Sequence, residues 1–232
     1  SAEEVLKEGL LVCEDSPAEE AVILSSLARL TMSSLQDGER AGTLINRATR
    51  KAKESSDPQL LYRVYFDLST IELARKRYSQ GAQMLRDGLK AVSSLSNSPL
   101  SFWRLFLRLA EFEFQAGQQE EAVRILMNAL SVGETQLAEL PKGRIHYLLG
   151  QFFLRMGRPH DAEPHMLKAV EYLQNTGDRQ GAAEASLTIA QSPTSDRDQY
   201  LDRAMYLSMQ IGWKQGLERV QSLRNHDDKK PN

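Results

Sequence analysis

The side chains here that could do chemistry are four histidines, one cysteine and a few close carboxylate pairs, in a chain of 232 residues. His160 and His165 lie five apart. That is about 140° around a helix, so they do not converge as i, i+4 metal ligands would. Cys13 has no neighbouring histidine or CxxC partner and reads as a small packing residue. As the single cysteine it excludes an internal disulfide and fits a reducing compartment. Gly177-Asp-Arg-Gln-Gly181 is too sparse for a phosphate loop and follows no strand. It reads instead as a helix-ending glycine followed by an Asp178 N-cap. Asp161 with Glu163, and Glu111 with Glu113, look like carboxylates on solvated helix faces. The expectation is no enzyme, no cofactor and no metal.

Composition points the same way. Hydrophobic residues make up 41% and charged residues 26%, ordinary for a globular protein. The formal charge of −2 gives nonspecific attraction to nucleic acid or membrane little support. No apolar run approaches the ~20 residues that span a bilayer, and no secretory segment is visible. An intracellular location, cytoplasmic or nuclear, is expected. Basic clusters occur at Arg47, Arg50, Lys51, Lys53 and at Arg75, Lys76, Arg77. No aromatic platform interleaves with them, so they read as charges offsetting helix macrodipoles rather than a nucleic-acid surface.

The positioning elements are helices. Strand-like alternation is almost absent, and segments of roughly 14–18 residues carry apolar positions at i, i+3, i+4 and i+7. Ser16-Pro17, Asp57-Pro58 and Ser98-Pro99 each pair a capping side chain with a proline suited to the first turn. Glu19 adds the spacing of a capping box on Ser16. These prolines are 41 residues apart both times, and Pro141 follows after 42. Ala28, Ser69, Ala110, Gly150 and Ala190 step by 41, 41, 40 and 40. Two further small series run in the same register: Ala41, Gly81, Ala122, Ala162, and Ala48, Gly88, Ala129, Ala169. Between them sit Ile45, Leu85, Leu126 and Met166. A two-helix period near 40 implies a stacked solenoid in which small residues mark the close approaches.

Leu149, Gly150, Phe153, Gly157, Ala162, Met166 and Ala169 stand in the order and spacing of the tetratricopeptide repeat family, which the chain resembles from about Ser16 to Leu223. Leu109, Ala110, Gly117, Ala122, Leu126 and Ala129 match again, with Glu113 in place of the aromatic. The period of 40–41 resembles the longer-helix variety of that family. The first repeat has one extra residue before Ala41, and Pro193 shortens the last. By this resemblance His146 stands where a large packed residue belongs. The fold expected is an all-α, right-handed superhelical solenoid. Residues 1–13 would be the second helix of an incomplete leading repeat, 14–225 about five helix pairs plus a capping helix, and 226–232 a charged tail.

The resemblance also implies that the first helix of each pair lines a concave groove. On the helical wheel, the face opposite the packing positions carries Val22, Ser25 and Arg29; Arg63, Phe66 and Thr70; Arg104, Leu107 and Glu111; and Arg144, Tyr147 and Gln151, continued by Leu73, Phe114, Leu154 and Arg155. Arg63, Arg104 and Arg144 share one register, and arginine near a helix N-terminus opposes the dipole. Such a ladder suits a peptide with spaced acidic and apolar side chains. The function expected is a non-enzymatic scaffold binding a protein or peptide, with no nucleic acid or membrane. Two alternatives remain open: an obligate subunit of a large assembly, such as the anaphase-promoting complex or a cohesin loader, and a peptide-responsive regulator.

Overall fold

The computed structural model describes residues 2–13, 16–35, 37–95, 102–133, 135–192 and 196–227, and among them every regular element is helical. After α1 (Ala2–Val12) come five pairs: α2 (Pro17–Leu30) with α3 (Gly38–Ser55), α4 (Pro58–Ala74) with α5 (Tyr78–Leu95), α6 (Trp103–Gln115) with α7 (Gln119–Gly133), α8 (Glu139–Arg155) with α9 (Pro159–Asn175), and α10 (Arg179–Ala190) with α11 (Arg197–Ile211). A last helix, α12, covers Lys214–Asp227, two residues into the expected tail. The chain forms two compact units, residues 1–125 and 126–232, divided within α7.

Local chemistry explains the helix ends. Ser16 accepts from Glu19 N at 3.4 Å, but its own N–H goes to Cys13 O, so the capping box closes on one side only. Asp57 accepts from the backbone of Gln59 and Leu60, and Asp178 from that of Gly181. Pro141 falls within the first turn of α8. Ser98-Pro99 lies outside the described residues. The extra residue of the first repeat is absorbed by a π-helical turn, Thr31–Leu35, after α2.

The small-residue register marks the packing contacts. Ala28, Ser69, Ala110, Gly150 and Ala190 are all buried, as are both series on the second helices. A side chain at Gly150 would stand 2.7 Å from Met166 Cγ, and one at Gly81 would enter the Phe112 ring at 2.1 Å. In the first unit α2 contacts α4 and α4 contacts α6; in the second, α8 contacts α10 and α10 contacts α12. First helices therefore form a layer of their own in each unit.

Candidate functional site

In the first unit, the layer of α2, α4 and α6 carries the expected groove residues. Arg63 and Arg104 are exposed, and neither forms an ion pair among the described residues. The Arg104 guanidinium lies 5.2 Å from the Trp103 ring centroid. Phe66 is half-buried, tilted against Tyr62 and covered by Arg108 of α6 at 5.2 Å. Arg108 also bonds Glu111 Oε2 at 2.9 Å, while partial burial pushes the Glu111 carboxyl upward against that pull. Leu107 is half-buried, and Thr70 turns its hydroxyl back to Phe66 O. Arg29 stands 3.9 Å from Asp67, whose Oδ2 accepts from Ser25 Oγ at 2.5 Å.

Two clefts open along the α2–α4 seam. One, of about 560 Å³, has walls of Ala18, Val22, Ile23 and Leu60, with Cys13 and Arg63 at its margin. Burial and the Glu19 carboxylate push the Cys13 thiol up, away from a reactive thiolate. The other cleft, of about 540 Å³, is lined by Leu6, Leu30, Met32 and Ile71, with Arg29 and Thr70 beside them.

In the second unit the expected groove residues are largely engaged. Arg144 pairs with Asp178 at 2.5 Å, across from α8 to the cap of α10. Tyr147 packs on the core, with a hydrogen bond to Thr188, and burial pushes its phenol up. Gln151 is half-buried, and Arg155 is exposed at the end of α8.

Other pairings were hidden in the sequence. His146 is buried, as expected of a packed position, but its Nδ1 lies 2.9 Å from Nδ1 of His165. Their ring centroids are 5.1 Å apart, so the two nitrogens lie nearly on the line between the rings. That is an N–H···N bond between two imidazoles, with no gap for an ion between them. Tyr172 stacks on His146 and Phe153 on His165. Arg47, Lys51 and Arg75 of the basic clusters serve buried carboxylates rather than helix dipoles alone. Arg47 and Lys51 reach Glu20 at 2.5 and 3.1 Å; burial raises that carboxyl and the two cations more than reverse it. Arg75 bonds Glu72 and Glu39, both at 2.7 Å, and the Arg86 guanidinium lies against Glu113. Among the described residues no group of three or more metal-binding side chains assembles, and no helix is long and apolar enough to cross a membrane.

No family model matches the chain, and neither does any curated protein. Solved structures do. Aspartyl phosphate phosphatase F from Bacillus subtilis superposes with a TM-score of 0.76 at 16% identity, over 93% of this chain and 58% of the phosphatase. A signal transduction ATPase with a tetratricopeptide repeat sensor, from Pyrococcus horikoshii, gives 0.75 at 14% identity, over 95% of this chain and 36% of the ATPase. The chain thus spans less than two thirds of either. YrrB, described as a TPR protein with an unusual peptide-binding site, gives 0.50 at 18% identity, over 95% of this chain and 99% of YrrB. The shared architecture, together with the buried small-residue register and the layer of first helices, makes this chain an all-α repeat protein of tetratricopeptide-type fold.

Proposed function

We propose that this chain is a non-enzymatic scaffold that grips a segment of a protein partner on its first-helix face, inside the cell. The observation that carries this is the pair of exposed arginines, Arg63 and Arg104, standing without ion pairs among the described residues and beside half-buried Phe66 and Leu107. Several other arginines of the first unit are matched to buried carboxylates, Arg47 to Glu20, Arg75 to Glu72 and Arg86 to Glu113, whereas exposed Arg50 on second helix α3 has no such partner among the described residues. Two cations left over on one apolar face suit a partner with spaced acidic residues. YrrB, with its described peptide-binding site, has the same kind of fold.

The test begins with a pulldown using the purified chain, followed by peptide-array mapping. The mapped peptide is then titrated into wild type, Arg104→Glu and Lys90→Glu. Lys90, exposed on second helix α5, is the control; Lys51 would be a poor one because it neutralises buried Glu20. Arg104→Glu should weaken binding about tenfold or more with little change in melting temperature, and Lys90→Glu should stay within about twofold. Wild-type affinity should also fall as salt rises. Wild-type binding by Arg104→Glu would move the partner to another face.

A further inference from the structure

A third cleft of the first unit lies on its second-helix side. It measures about 550 Å³, with α3 and α5 as its walls and α4 beneath. Leu68 and Met84 give it an apolar base, and Tyr65 stands beside them. The Tyr65 ring is 2% exposed. Its Cγ end packs on Gly88, where any side chain would stand 2.7 Å away, so the ring is fixed in place. Its hydroxyl nevertheless forms no hydrogen bond among the described residues. An interior hydroxyl without a partner is destabilising. The repeat does not demand it either: four residues before Ser69, Tyr65 has Leu24, Phe106 and His146 as its counterparts, and none carries a phenol.

Charge is divided between the walls. On the α3 wall, exposed Arg50 has no ion pair among the described residues, and Lys53 has only the Tyr65 ring, 5.9 Å from its Nζ. Glu54 beside them is held by Lys51 at 3.2 Å. On the α5 wall, Asp87 accepts from the Gln83 amide at 3.2 Å and meets no cation among the described residues. An anion alone would be opposed by Asp87, and a cation alone by Arg50 and Lys53. By the repeat, Asp87 stands level with Arg47 of α3, three and six residues before Arg50 and Lys53. At the helical rise those offsets are ~4.5 and ~9 Å, so the two charges belong at opposite ends of the ligand's apolar part.

We infer that this cleft binds a small zwitterion. Its anionic group meets Arg50, Lys53 and the Tyr65 hydroxyl, its ammonium meets Asp87, and a short aliphatic body lies on Leu68 and Met84. The volume is that of a small-molecule site. This goes beyond the scaffold reading, because Arg63 and Arg104 of the first-helix face take no part in it.

The probes are linear ω-amino acids of about three to eight carbons, each with its N-acetyl and its carboxamide form. In ligand-observed NMR titrations with the full chain, the best-fitting zwitterion should bind about fivefold or more tighter than either masked form. Arg50→Gln should bring the zwitterion level with its carboxamide, and Asp87→Asn should bring it level with its N-acetyl form. Both side chains are exposed, so both variants should fold as wild type does, checked by circular dichroism. Tyr65→Phe should weaken binding about threefold or more without lowering the melting temperature, since the hydroxyl it removes has no partner in the protein. No binding at tens of millimolar, equal affinity for masked and unmasked forms, or unchanged selectivity in Arg50→Gln and Asp87→Asn would each overturn the site. Arg104→Glu should bind every probe as wild type does; a loss there would move the probes to the first-helix face and overturn the site as well.

Discussion

His146 and His165 can hold their N–H···N bond only while at least one ring is unprotonated, and their surroundings favour both being neutral. Burial, then His165 and Lys168, hold His146 at about 4, below its ordinary 6.5; burial and Lys168 lower His165 too. A base depressed on folding contributes stability that is present above its unfolded pKa and lost as pH falls toward the folded one. Between pH 7 and 5, His146 alone should therefore cost about 2 kcal/mol. Urea titrations at the two pH values would measure it, and His146→Phe should reduce the difference. A second residue-scale contrast lies in α4 and the turn after it. Arg75 is almost fully buried against Glu72, whereas Arg77 is half-exposed and meets only exposed Glu39. Arg75→Ala strands a buried carboxylate and should lose about 3–5 kcal/mol, while Arg77→Ala should lose less than about 1. Equal losses in thermal melts would show that Glu72 finds another partner.

At the scale of the element, the contact between paired helices depends on absent bulk. Ala122 and Ala162 are almost wholly buried, and their repeat equivalent Gly81 already touches Phe112. Ala122→Leu or Ala162→Leu should each cost ~1–3 kcal/mol and lower the melting temperature by several degrees, while Lys90→Ala on an exposed face should barely move it. This part of the fold was legible because close helix approach demands small residues at fixed intervals, and that demand survives as a visible period. Arg63 and Arg104 were legible as exposed for the same reason: helical geometry fixes a face. The engagement of Arg144 was not, because Asp178 lies 34 residues away and meets it only through the packing of α8 on α10. The bond between His146 and His165 likewise spans two helices. Lys76 escaped too: it ends α4 at φ 56°, where the equivalent Gly117 adopts φ 86°, and no side chain announces a left-handed residue that is not glycine.

At the scale of the whole molecule, each unit has a hydrophobic core of its own, and the first unit also buries charge inside its helical layers. Glu72 and Glu113 both occupy the register that Phe153 fills in the fourth pair. Repeats this alike invite exchange, since a hairpin could dock on the wrong neighbour or on another copy of the chain. The two carboxylates work against that. Arg86, which answers Glu113, has Asn46, Met127 and Leu167 as its counterparts in the other pairs. Gly42, whose missing side chain leaves room for the Arg75 guanidinium beside Glu72, has Ala82, Val123 and Glu163. Displaced by one period, Glu113 would be entombed without its cation, at a cost of several kcal/mol, and Arg75, which travels with Glu72, would meet a side chain where Gly42 leaves it room. Glu113→Gln should therefore keep most of the stability yet refold at high concentration with more swapped dimer, counted by size-exclusion chromatography. An unchanged dimer fraction would mean that apolar fit alone keeps the order. The two buried acids thus act as addresses: they contribute little to how firmly the hairpins stack, and they dictate which hairpin stacks on which.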